Sequence, residues 1–453
     1  MKKWILAIGV FVYAAALSAQ TALPLKVAEN KRYLVTADGK PFFWLGDTGW
    51  LLFVKCTREE AVKYLDTRKR QGFNVIQVML LHDVRKAKNA YGDSALINGD
   101  VSRPHLTADP HNYWNHISFV IDEAAKRGMY LALVPVWGSN VKAGYVTAEQ
   151  AAAYARFLTS RFGSKPNIIW VNGGDIRATE GMEVWQTIGQ TLRQNDAQHL
   201  ITYHPRGRYS SSEWFHQAPW LDFNMFQSGH RTYAQDTSAN DKNHYGEDNW
   251  KYVEADYRLQ PAKPVLDGEP SYENIPHGLH DSLEVRWNAA DLRRYGYWSV
   301  FAGGAGFTYG ENAVMQFHSK GDEGANYGVN MDWEKAINSP GANQMQYLKQ
   351  LIESRRYLDR QPAQELLPEN NGAQYEHLVA TKGRDYAYVY TFTGHPFKVD
   401  QAKLGFRVGK AAWYDPASGR YRKATPDQRA AVVSYTPPAG RENGSDWVLV
   451  LEK

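Results

Sequence analysis

KPNIIWVNGGDIR, residues Lys165–Arg177, takes the chain from an apolar run straight to a carboxylate among small polar residues. Ile168, Ile169, Trp170 and Val171 have the composition of a strand buried on both faces. Asn172-Gly173-Gly174-Asp175 then falls where the chain should leave the sheet. KPVLDGEPSY, Lys263–Tyr272, has the same form, with Val265 and Leu266 running into Asp267-Gly268-Glu269. Two strands that each end on acids can present both acids to one ligand.

Working outward, apolar runs at Phe42–Gly46, Asn74–Leu81, Tyr130–Trp137, Asn167–Val171, Leu200–His204, Phe223–Gln227, Val265–Asp267 and Gly303–Tyr309 read as eight strands. Helical patterns separate them. One starts at the capping box Thr57-Arg58-Glu59-Glu60 and runs to about Gln71; others are expected over 113–127, from Thr147 to Phe162, and over 182–195, 250–259, 283–295 and 344–356. Eight strand–helix alternations predict an α/β fold, a (β/α)8 TIM barrel. A barrel allots roughly 31 residues to each unit, which places the ends of strands four and seven about 93 residues apart; Asp175 and Glu269 are 94 positions apart. The polar stretch His82–Pro110 is too long for a connecting turn and reads as an inserted loop. From about Gln361 the texture changes to short alternating runs with hairpin turns, which predicts a small all-β sandwich. The expected division is 1–19, 20–360 and 361–453.

Residues 1–19 have the form of a secretory signal, with a basic start at Lys2 and Lys3, an apolar stretch Trp4–Leu17, and Leu17-Ser18-Ala19 as a cleavage site. The apolar stretch falls short of the ~20 residues a membrane span needs, so export with cleavage near Ala19 is expected rather than stable membrane insertion. The 453 residues carry a formal charge of +4, which points away from nucleic acid as a partner. Cys56 is the sole cysteine, excluding an intrachain disulfide; it reads as a core residue, with a nucleophilic thiol as the other option. Aromatic content of 13%, with 15 Trp and 28 Tyr, suits both a large aromatic core and surfaces that stack on sugars.

A barrel assembles its site at the C-terminal ends of its strands. The residues there are Asp47, Trp50, His82, Asp83, Trp137, Asn172, Asp175, His204, Gln227, Glu269, Tyr309 and Glu311. Carboxylates, amides, imidazoles and aromatic rings together fit a neutral polyhydroxylated ligand. Glycoside cleavage needs one carboxylic acid to protonate the departing oxygen and a second carboxylate to attack carbon or activate water. Asp175 and Glu269 fit these roles, Asp175 as the proton donor and Glu269 as the nucleophile. Asp47 either holds sugar hydroxyls or orients the Thr48-Gly49 turn, and Asn172 either bonds a substrate hydroxyl or caps a loop. His204 either touches sugar or holds Glu269 ionised. Trp50 and Trp137 either stack on a sugar or fill the core, and His82, Gln227 and Tyr309 complete the expected substrate-binding set. No metal-ligand spacing, G-x-S-x-G elbow, Walker motif or G-x-G-x-x-G fingerprint accompanies them, so no cofactor is expected. A barrel that binds oligo- or polysaccharide without cleaving it is the rival reading, and a buttress or a glycan-binding module are both open to the C-terminal domain.

PFFWLGDTGWLLF (Pro41–Phe53), QGFNVIQVML (Gln71–Leu80), NIIWVNGGD (Asn167–Asp175) and PVLDGEPSYE (Pro264–Glu273) resemble the apiosidase-like branch of barrel glycoside hydrolases, glycoside hydrolase family 140 and its relatives. The resemblance runs from about Leu25 to the end. It implies a retaining mechanism with Asp175 as acid/base and Glu269 as nucleophile, a small C-terminal β domain, and a plant cell-wall type substrate, with apiose-containing pectic glycans among the candidates. Barrel glycosidases of the wider clan commonly place Glu directly after Asn at strand four. Here Asn172 is followed by Gly-Gly-Asp, a shorter acid set further along the chain.

Overall fold

The structure is a computed structural model and describes residues 22–236, 245–369, 371–425 and 430–453. The expected secretory signal therefore lies outside the described residues. Eight strands form the barrel: β1 (Trp44–Thr48), β2 (Val75–Met79), β3 (Tyr130–Val134), β4 (Ile168–Ile176), β5 (Ile201–Pro205), β6 (Asn224–Gln227), β7 (Val265–Asp267) and β8 (Gly306–Tyr309). Parallel ladders join β1 through β5 in order, β6 to β7, β7 to β8, and β8 back to β1. The seam between β5 and β6 is bridged by Asp222 N–H to Ile201 O (2.9 Å) and Thr202 Oγ1 to Phe223 O (2.7 Å). A two-residue strand, Tyr209–Ser210, adds antiparallel to β6 and gives the nearly closed sheet nine members. The strands are apolar along almost their whole length because side chains meet the barrel interior on one face and the helices on the other.

Local sequence sets where the helices begin. Thr57 and Glu60 close a capping box on the helix Arg58–Arg70, and Thr147 with Gln150 does the same for Ala148–Phe162. The helix expected over 283–295 instead spans Ala289–Phe301. Asn288 and Asp291 cap it reciprocally, whereas Leu283 and Val285 stand 92% and 69% exposed on a preceding loop. A cap at Asn288 outweighs apolar residues that find nothing to pack against. Cys56 is buried, and burial, with Glu60 nearby, pushes its thiol well above the ordinary range.

Beyond residue 360 the chain is all β. A six-stranded antiparallel sheet runs Gln361–Pro362, Val379–Lys382, Tyr386–Thr391, Trp447–Glu452, Lys410–Tyr414, Tyr421–Lys423 in spatial order. The pair Phe397–Asp400 and Val432–Tyr435 forms a second sheet. Side-chain alternation splits the larger sheet cleanly. Ala387, Val389, Trp413 and Leu449 pack with Phe397, Val399 and Val433 in a core of their own. Tyr386, Tyr388, Tyr390 and Val448 instead join the core of the barrel. Tyr390 stacks on Tyr297 (4.9 Å, 7°) and Tyr388 on Phe301 (5.7 Å, 27°), while Arg293 donates to both carboxylate oxygens of buried Asp446 at 2.8 and 2.7 Å.

Candidate active site

At the C-terminal mouth of the barrel a cleft of about 350 Å³ holds Asp175 and Glu269. Asp175 reaches it by a break in the strand. Gly173, Gly174 and Asp175 take φ values of 86°, 123° and 48°, and the β4–β5 register shifts between Gly173 and Ile176. Glycine is required at the centre of this bulge: a Cβ on Gly174 would stand 2.6 Å from the Trp137 ring. Asp175 is turned toward the cleft, with its side chain open to that space. Its backbone N–H donates to His204 Nδ1 at 3.2 Å, which makes Nδ1 an acceptor and leaves the ring proton on Nε2.

Glu269 stands two residues past β7, where Gln77 braces the chain by donating to Gly268 O at 2.6 Å. Its Oε1 lies 3.3 Å from His230 Nε2 in a hydrogen bond, and its Oε2 lies 3.0 Å from His204 Nε2 without an aligned hydrogen bond. The Tyr272 hydroxyl accepts from Trp50 Nε1 at 2.9 Å, and burial, helped by the neighbouring Glu269 charge, holds the phenol well above its ordinary value. The two carboxyls are driven apart in acidity. Enclosure by the cleft walls, then the charge of Glu269, raise Asp175 from an ordinary 3.8 to about 6. Burial also opposes ionisation of Glu269, but the His204 and His230 imidazoles outweigh it and bring the carboxyl down to about 2. Between those values the site holds one protonated acid and one carboxylate, the combination that glycoside cleavage needs.

The structure brings Trp50, His82, Trp137 and Gln227 to the cleft with the acid pair. Trp50 and Trp137 lie 5.3 Å apart, and each packs on the His204 ring, at 5.4 and 5.8 Å. His82 is exposed on the cleft wall, where partial desolvation holds its imidazole below its ordinary value. His204 lies beneath the cleft, between the two acids. Asp47, Asn172 and Tyr309, expected to bind substrate, are placed elsewhere. Asp47 is fully buried against Arg68 at 2.7 Å and also accepts from Tyr64. Asn172 donates to Trp185 O at 2.7 Å, toward the helices, and Tyr309 donates to Glu273 at 2.6 Å. Each occupies a position whose side chain leaves the outer face of the barrel, so standing at a strand end does not bring it to the mouth.

Several cleft residues escape a strand-end reading. His230 follows β6 by three positions, Arg206 follows β5, and Tyr272 sits within the PVLDGEPSYE stretch, where its spacing from Glu269 was the available signal. Tyr327 comes from a loop well beyond β8, and no strand-end pattern points to it.

Comparison with known proteins identifies the family of the barrel. Residues 28–359 match the family described as "Apiosidase-like, catalytic domain", and residues 361–452 match one described as "Putative collagen-binding domain of a collagenase". No curated protein matches the chain. A solved structure titled "Glycoside hydrolase" is 43% identical with a TM-score of 0.91, covering 95% of this chain and 97% of its own. A glycoside hydrolase family 5 structure from Bacteroides vulgatus is 41% identical with the same TM-score, covering 96% and 95%. An endo-1,4-beta-mannanase from Rhizomucor miehei, 12% identical with a TM-score of 0.52 over 73% of this chain and all of its own, shares the fold. With the catalytic-domain model matched over most of its length, the chain belongs to the apiosidase-like glycoside hydrolases.

Proposed function

We propose that the protein is an exported, retaining glycosidase acting on a plant cell-wall type glycan, with apiose-containing pectic material the first class to test. The observation that carries this reading is the placement of two carboxyls in one cleft at the barrel mouth, Asp175 enclosed beside the charge of Glu269, which raises it, and Glu269 against His204 and His230, which lower it. Asp175, protonated, gives its proton to the departing glycosidic oxygen. Glu269 attacks the anomeric carbon through Oε2, since Oε1 is engaged by His230. A glycosyl ester forms on Glu269, and Asp175, now ionised, takes a proton from the water that releases the sugar. Retention calls for carboxyls about 5 Å apart and inversion for about 6.5–9.5 Å, and the anomeric configuration of the product reads that spacing.

The Trp50–Trp137 pair offers apolar faces to a sugar ring. The C-terminal sheet serves as a buttress for the barrel, a role supported by its buried tyrosine face. The test is a panel of pectic and other plant glycans, with released sugars followed by NMR. Product of retained anomeric configuration is expected; inverted product would overturn the nucleophile role of Glu269.

A further inference from the structure

The chain beyond β8 returns to the cleft at Asn326-Tyr327-Gly328, and that return is costly and deliberate. Tyr327 takes φ 56°, the left-handed region, which a bulky residue rarely adopts, and Gly328 follows at 57°. Three side chains strap the peptide in place. Buried Asn312 donates from Nδ2 to Tyr327 O at 2.9 Å. Gln316 grips Asn326 on both sides, accepting from its N–H at 3.0 Å and donating to its carbonyl at 3.2 Å. Arg286 donates to Gly328 O at 2.7 Å. The straps hold main chain, and the ring is left 37% exposed as part of the wall of the cleft that contains Asp175 and Glu269. Its place in the cleft wall and the charges of Glu269 and then Asp175 raise the phenol above its ordinary value, so it remains a hydroxyl.

Phe317, the other aromatic residue with left-handed backbone among the described residues (φ 45°), is enclosed against Tyr64 and Trp333 and serves packing. Tyr327 is instead anchored through its peptide and open on the ligand side. We propose that Tyr327 is a substrate-contacting residue that closes over the sugar at the point of scission, its hydroxyl bonding a sugar hydroxyl and its ring limiting which residue fits between the carboxylates. The proposal rests on the glycosidase reading for the nature of the ligand.

Two measurements test it. The first needs no ligand: Tyr327→Asn places a residue tolerant of the left-handed region on the same backbone. Its melting temperature should equal or exceed that of the parent, and a marked fall would show that the ring is a packing element and overturn the proposal. The second uses a size-fractionated pectic oligosaccharide digest, titrated calorimetrically into Glu269→Gln and into Glu269→Gln with Tyr327→Phe. Loss of the hydroxyl should weaken binding about 3- to 10-fold, and in the otherwise native chain Tyr327→Phe should lower kcat/KM by a similar factor. Unchanged affinity together with unchanged kcat/KM would overturn the contact. A parent protein that cleaves no glycan of the panel but still binds the digest more tightly than its Tyr327→Phe variant would overturn the glycosidase reading while leaving the Tyr327 contact standing.

Discussion

Activity should be lost through pH 6 because Asp175 must carry a proton when the glycosidic bond breaks. Two causes hold its carboxyl at about 6, enclosure by the cleft first and the charge of Glu269 second. With that value about nine-tenths of the molecules hold the proton at pH 5, about one-tenth at pH 7, and about one-hundredth at pH 8, so kcat/KM should fall roughly tenfold per unit above pH 6. The sign follows from the direction of the shift: the working form is the protonated one, present below about 6 and titrated away above it. Glu269, at about 2, contributes no loss on the acid side until well below pH 4. The perturbation that isolates the second cause is Glu269→Gln, followed by carbon-13 NMR of the Asp175 carboxyl, since this variant lacks the nucleophile. Removing the neighbouring charge should drop the Asp175 midpoint, but not to 3.8, because the cleft walls still surround it. A rate plateau extending past pH 8, or an Asp175 midpoint unmoved by Glu269→Gln, would refute the assignment of Asp175 as an acid tuned by its partner.

Gly174→Ala should lower kcat about 100-fold or more, because the added methyl meets Trp137 at 2.6 Å and a shift of about 1 Å in the acid is enough for such a loss; steady-state kinetics beside a melting curve separates this from unfolding. Asp267, fully buried and accepting from Ser228 and Asn249 at 2.9 Å, is raised by that burial from 3.8 to about 7. Because the folded state holds its proton more tightly, stability is lost as pH rises from about 4 through 7, by about 1 kcal/mol per unit. Asp267→Asn should therefore gain stability relative to the parent between pH 5 and 8 in urea unfolding, and a constant difference would refute this. Arg293→Met should cost about 3–5 kcal/mol by stranding Asp446, and adding Asp446→Leu should restore much of it; denaturant midpoints of the single and double variants check both.

The barrel was legible because parallel strands buried on both faces appear as uninterrupted apolar runs, several of which end where Gly, Asp or Asn takes over. Asp175 and Glu269 were legible for the same reason, as acids just past such runs. Asp47, Asn172 and Tyr309 share that position yet serve Arg68, the Trp185 carbonyl and Glu273. Their direction depends on which alternate residue faces the barrel axis, and a shift of one position reverses it. The bulge at Gly173-Gly174 corrects that parity for Asp175, and only the register shift against β5 reveals it. His230 and Tyr327 lie on loops whose course is set by distant side chains, Gln316, Arg286 and Trp287 among them, so no local pattern announces them.

The helix Ala289–Phe301 is buried at every position from Leu292 to Phe301, lying between the parallel sheet and the tyrosine face of the C-terminal sheet. For anyone recombining genes, the junction near residue 360 is thus a poor place to cut. A barrel excised there would present Tyr297 and Phe301 to water, and the detached C-terminal piece would carry tyrosines shaped for one particular helix. Grafting that piece onto another enzyme as a portable adhesion tag would bring an uncovered aromatic face with it, and aggregation is the consequence to plan for.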